Sequence, residues 1–131
     1  MDRLKERLEM AQRAFKTLEE CLNKPAASDI ERDGAIQRFE YTMEATWKAA
    51  QRFLQDVKGL SVGSPKDAVR RCRENGVLNE EDAMAALAMI DDRNLTVHTY
   101  IEELAVEIYS RLPNHRRTLG SWLENMEKQV P

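Results

Sequence analysis

The sequence predicts an all-α protein, an antiparallel up-and-down four-helix bundle with a short additional helix. Three observations carry this. Apolar residues recur at steps of three and four along nearly the whole chain, the spacing of a helix that buries one face. No stretch alternates apolar and polar residues with a period of two, and no Asn-Gly or Asp-Gly sits in a strand context. The five glycines and four prolines of the 131 residues fall mostly between the periodic segments. Short connections between long amphipathic helices favour antiparallel neighbours.

Leu4, Leu8, Ala11, Phe15, Leu18 and Leu22 form one apolar seam, predicting a first helix over about 3–23 that Lys24-Pro25 ends. Ile36, Phe39, Met43, Trp47, Ala50, Leu54 and Val57 repeat the pattern and place a second helix at about 29–58, before Gly59. Ser64 is a capping residue and Pro65 occupies the first helical position, where a missing N–H costs nothing. The short helix they open, about 65–75, stops at Asn75-Gly76. Asn79 caps the next, and Glu80, Glu81 and Asp82 complement its dipole. Its stripe runs through Met84, Leu87, Leu95, His98, Ile101, Ala105, Ile108 and Leu112, predicting one long helix over about 80–112 that Pro113 breaks. Asp91-Asp92-Arg93-Asn94 in its middle is a candidate kink. Leu119, Trp122, Leu123, Met126 and Val130 mark a last helix, about 115–129.

Composition narrows the function. With 42% hydrophobic and 33% charged residues, a chain of this length is expected to fold as a single domain over 1–131. Twenty basic against twenty-three acidic side chains give a net charge of −3, unlike a dedicated nucleic-acid binder. No apolar run approaches the ~18 residues of a membrane span, and MDRLKERLEM lacks the apolar stretch of a signal peptide. A cytoplasmic protein with Cys21 and Cys72 as reduced thiols is the expectation.

Most site signatures are missing. The glycines never cluster into a phosphate loop, no Cys-His set has zinc spacing, and neither His98 nor His115 follows a Glu by three residues. Neither a metal nor a cofactor is expected. The exception is Asp91 to Tyr100, which gathers Arg93, Asn94, His98 and Tyr100 within a few turns. Histidine exchanges a proton near neutral pH and arginine clamps a phosphate with a planar fork, so His98 can deprotonate a ribose 2′-OH while Arg93 stabilises the phosphorane. On an ideal helix the two side chains point roughly 140° apart, so a shared site needs arginine's reach, a local break or a second subunit. The alternative is structural: His98 as a hydrogen-bonded core residue, Arg93 paired with Asp91, Asp92 or a carboxylate of the second helix. Read from the residues alone, Tyr100 packs at an interface with its hydroxyl reaching water. Glu40, Glu44 and Lys48 form a solvated charge ladder, or Glu44 orients Arg93 from across the bundle. Arg70, Arg71 and Arg73 suit a helix C-terminus. Arg111, His115, Arg116 and Arg117 are the other basic cluster, with Arg116 and Arg117 candidates for phosphates or an acidic partner.

Arg93-Asn94-x-x-x-His98-x-Tyr100 on a late helix of a small all-α chain resembles the HEPN superfamily, above all the nucleotidyltransferase substrate-binding proteins and the related HepT toxins. Arg32 to Thr42 with Glu44, Trp47 and Lys48, and Ser64-Pro65-Lys66, carry the same resemblance over nearly the whole chain. The resemblance implies a homodimeric four-helix bundle working with a separately encoded, ATP-using minimal nucleotidyltransferase. It implies a metal-independent ribonuclease toxin in which Arg93 and His98 are the catalytic pair, Asn94 an accessory and Tyr100 the acceptor of an AMP that silences cleavage. The other reading the family offers is a non-catalytic substrate-binding subunit of a two-component nucleotidyltransferase.

Overall fold

A computed structural model describes residues 1–131 and contains five α-helices and no strand: α1 (Asp2–Leu22), α2 (Asp29–Lys58), α3 (Pro65–Glu74), α4 (Glu80–Leu95) and α5 (Glu102–Gln129). The predicted caps form: Ser64 and Asn79 accept hydrogen bonds from the backbone N–H of Asp67 and Asp82, and Ser28 caps α2 in the same way by accepting from Glu31. Gly59, at φ 69°, ends α2 in the left-handed region, which only glycine enters without steric cost.

Side-chain bonds between helices fix their directions. Gln12 of α1 donates to Glu127 near the end of α5, and the Ala26 N–H beyond the end of α1 donates to Tyr109 earlier in α5, so α1 and α5 run antiparallel. Asn125 donates to the Val77 carbonyl while Arg111 reaches Asp92, so α4 and α5 are antiparallel too. Arg32 lies near Glu102 and Phe39 stacks on His115, making α2 parallel to α5. This is the expected up-and-down bundle with α3 as the short extra helix. One continuous core joins all five helices, with Phe39, Phe53, Leu112 and Trp122 fully buried. No helix is long and apolar enough to cross a membrane.

Two expectations are corrected. The segment 80–112 is not one helix: α4 ends at Leu95, a single 3₁₀ turn covers Thr96–His98, and α5 begins only at Glu102. Leu95-Thr96-Val97-His98-Thr99-Tyr100-Ile101 is a run of β-branched and aromatic residues with weak helix preference. The Thr96 hydroxyl donates to the Arg93 carbonyl and the Thr99 hydroxyl to the Thr96 carbonyl, giving these carbonyls partners outside an α-helical ladder. Pro113, in turn, does not end a helix but lies inside α5. Ala105, Ile108, Leu112, His115, Leu119 and Trp122 form one buried stripe that passes straight through it. Pro113 itself is exposed, so water can take the Tyr109 carbonyl that loses its donor. Continuity of burial outweighs the proline cost of about 3 kcal/mol.

Candidate active site

Arg93 stands in the last turn of α4, its side chain 30% exposed. Its Nη1 lies 3.9 Å from Oε2 of Glu40 and 3.4 Å from the Thr96 hydroxyl, while its buried Nε has no partner. A hollow of about 110 Å³ surrounds it, walled by Met43, Glu44 and Trp47 of α2, Pro65 of α3, and Ile90 and Asn94 of α4. The carboxylate in ion-pair range of Arg93 is therefore Glu40, in place of the expected Glu44. Glu44 lies on the same wall but accepts from the Trp47 indole at 3.1 Å. The three segments singled out in the sequence meet here, because Lys66 at the start of α3 pairs with Asp91 at 2.7 Å.

His98 and Tyr100 lie elsewhere. The helix break takes His98 off the apolar stripe and leaves it exposed, against the expectation of a core-facing ring. Its ring meets that of Tyr100 edge to face, with centroids 6.1 Å apart. Tyr100 is 81% exposed, the phenol open to solvent, and Val97 and Ile101 beside it are exposed as well. His98 and Tyr100 are not among the residues lining the hollow around Arg93 and Asn94.

A second polar cluster joins residues that the sequence reading does not bring together. Asp92, buried at the end of α4, accepts two parallel hydrogen bonds from Arg111, Nε to Oδ2 at 2.7 Å and Nη2 to Oδ1 at 2.8 Å. Nε2 of buried His115 lies 2.6 Å from the same Oδ2, and its ring stacks on Phe39 with centroids 5.1 Å apart. Burial pushes the His115 imidazole below its ordinary value, against the pull of Asp92. Arg111 already neutralises that carboxylate, so a second cation would be in excess, and His115 sits neutral with its Nε2–H donating. Burial would raise the Asp92 carboxyl, but the bonds from Arg111 and His115 outweigh it and hold Asp92 below its usual range. The network clamps the end of α4, the residue next to Arg93, onto α5. Its signal is present in the sequence, because 108, 112, 115 and 119 are one helical stripe; assuming that Pro113 ends a helix hides it.

No three His, Cys, Asp or Glu side chains stand where they would hold a metal ion together. Cys21 and Cys72 are both free thiols. Burial pushes the Cys72 thiol up to about 11, although the Trp122 indole donates to its sulfur at 3.4 Å.

The small helical bundle is shared with known proteins. Over residues 6–128 the chain matches, and belongs to, the family described as nucleotidyltransferase substrate binding protein like. A relative named probable ribonuclease HepT, from Haemophilus influenzae, is 32% identical over 100 residues, which span 73% of this chain and 67% of the relative. A crystal structure of a Thermus thermophilus protein superposes with a TM-score of 0.86 at 50% identity, covering 89% of this chain and 98% of the other. The Haemophilus influenzae protein HI0074, described as the fold of a substrate binding domain of a nucleotidyltransferase, is 25% identical with a TM-score of 0.77 over 92% of this chain and 98% of its own. A chain of the toxin-antitoxin pair MntA-HpeT shares the fold at 14% identity, with a TM-score of 0.79 over 98% of this chain and 99% of its own.

Proposed function

We propose that the chain is a HEPN-type ribonuclease toxin, a one-domain homodimer that cleaves RNA without a metal and is paired with a nucleotidyltransferase antitoxin. The observation that carries this reading is an exposed His98 five residues on from a half-buried, incompletely bonded Arg93. A core histidine would be buried, and a structural arginine would have its donors matched. His98 takes the proton of a ribose 2′-OH, whose oxygen attacks the phosphorus. The bond to the 5′ oxygen breaks, leaving a 2′,3′-cyclic phosphate, and the departing oxygen is protonated by a second His98 or water. Arg93, held by Glu40, steadies the charge on the phosphorane, with Asn94 as an accessory donor and Glu44 supporting the same wall. A single chain separates the two catalytic side chains, and the exposed apolar Val97 and Ile101 suit a seam with a second copy that brings them together and leaves the Tyr100 phenol at its edge.

Tyr100 is the acceptor of AMP from ATP in the partner nucleotidyltransferase: its phenolic oxygen, giving up its proton, attacks the α-phosphorus, the α–β phosphoanhydride bond breaks and pyrophosphate leaves. Its exposure gives the phenol access, and a nucleotide there places a bulky anion beside the site that must admit an RNA phosphate. The description of HI0074 favours a second reading, a non-catalytic subunit that presents a substrate to the nucleotidyltransferase. The test is RNA incubation with the purified chain in EDTA, its intact mass showing no added nucleotide. Products ending in cyclic phosphate support the ribonuclease. Intact RNA across several substrates leaves the substrate-binding subunit.

A further inference from the structure

We propose that the groove between α1 and α2 is a track for single-stranded RNA leading to Arg93, a proposal that rests on the ribonuclease reading and adds to it a substrate-binding surface. The groove holds about 560 Å³, with Met10, Ala45 and Tyr41 along it and Arg7, Arg13 and Lys48 as its cations. Glu44 is its one carboxylate, and that residue also walls the hollow around Arg93, so the two depressions meet at one side chain. Trp47 extends the join: its ring lines the hollow, and the Lys48 ammonium lies 4.5 Å from the ring centroid.

Charge and aromatic placement select the occupant. The chain carries a net −3, yet Arg7, Arg13, Lys48 and the adjacent Arg38 surround this groove without an ion pair. Arg70, Arg116 and Arg117 are unpaired elsewhere on the surface too, but the depressions they line share no residue with the hollow around Arg93. Free cations beside a groove are what a phosphate backbone needs, and a local basic track admits RNA to an otherwise acidic protein. Tyr41 is 39% exposed, and the Arg38 guanidinium lies 5.4 Å from its ring centroid. An exposed aromatic ring among cations is the arrangement that holds a stacked base without regard to sequence. The Arg93 hollow at the end of the track receives the phosphate to be cut.

The test measures binding separately from cleavage. A labelled single-stranded RNA of about 12 nucleotides, with every 2′ oxygen methylated so that it cannot be cut, is titrated with the full-length chain by fluorescence anisotropy. Arg13→Gln with Lys48→Gln is expected to weaken binding roughly tenfold and to lower the slope of log affinity against log salt by about 1.4. Tyr41→Ala is expected to weaken it roughly 5- to 100-fold with the salt slope unchanged. Melting curves and sedimentation establish that each variant keeps the wild-type fold and oligomeric state. Variants that bind this RNA as the wild type does, or that lose affinity for the nucleotidyltransferase or for a second copy instead, overturn the track. Cleavage of unmodified RNA is followed in parallel. A wild type that cuts RNA whose binding ignores the groove variants refutes the track alone. One that binds through the groove and never cuts refutes the ribonuclease alone.

Discussion

The two histidines of this chain, His98 and His115, sit in opposite environments, each the reverse of what its sequence neighbourhood suggests. His98, between Leu95 and Ile101 on an apparent apolar stripe, is exposed on a turn with its ring edge to face with that of Tyr100. His115, next to Arg116 and Arg117, is buried against Phe39 and bonded to Asp92. The difference follows from where the helix breaks. A break after Leu95 swings His98 out of register, and the absence of one at Pro113 keeps His115 in the stripe that begins at Ala105. One histidine is thus free for chemistry, and the other fixes the helix end that carries Arg93.

This contrast can be broken from either side. Among variants that leave both histidines in place, the largest effect is expected from Arg93→Ala, which removes the phosphate clamp and slows RNA cleavage by roughly 10²–10³ in a single-turnover assay. Asp92→Ala leaves Arg111 and His115 without their acceptor and costs about 3 kcal/mol, seen as a fall in Tm of roughly 10 °C. Cleavage then falls as well, because Arg93 loses its anchored neighbour. A smaller effect sharpens the role of His115. Its folded-state pKa lies below the ordinary value of 6.5, so the unfolded chain takes up this proton first as pH falls. Its contribution to stability is complete above about pH 6.5 and erodes as pH drops towards the lower folded value. His115→Gln, which keeps an N–H donor but does not titrate, flattens urea-derived stability across that window. The loss at still lower pH remains, because Asp92 stabilises the fold above its ordinary pKa of 3.8 and that contribution disappears as the carboxyl protonates. The smallest structural effect is Tyr100→Phe, which changes stability by less than about 0.5 kcal/mol. Intact mass after incubation with the nucleotidyltransferase and ATP then shows no AMP on the variant, against one on the wild type.

Much of this is legible in the residues. Ser64-Pro65, Asn79 and Gly59 announce their helix ends because caps and left-handed turns restrict residue type locally. The seams of α1 and α2 are legible because burial repeats at the helical period. The remainder is decided by competition between elements. The propensity of residues 95–101 opposes a plausible stripe and wins; Pro113 opposes a real stripe and loses. Each outcome moves a histidine. The approach of Arg93 to Glu40 depends on how α2 and α4 cross, and a single sequence does not specify that to the one helical turn that separates Glu40 from Glu44.

The most direct test compares His98→Gln with His115→Gln in one RNA cleavage assay in EDTA, at a temperature where both variants are folded. Cleavage is expected to slow by roughly 10²–10⁴ for His98→Gln despite an unchanged Tm, and to be largely retained for His115→Gln. Cleavage that survives His98→Gln, or that depends on the His115 ring instead, would contradict the assignment of chemistry to the exposed histidine.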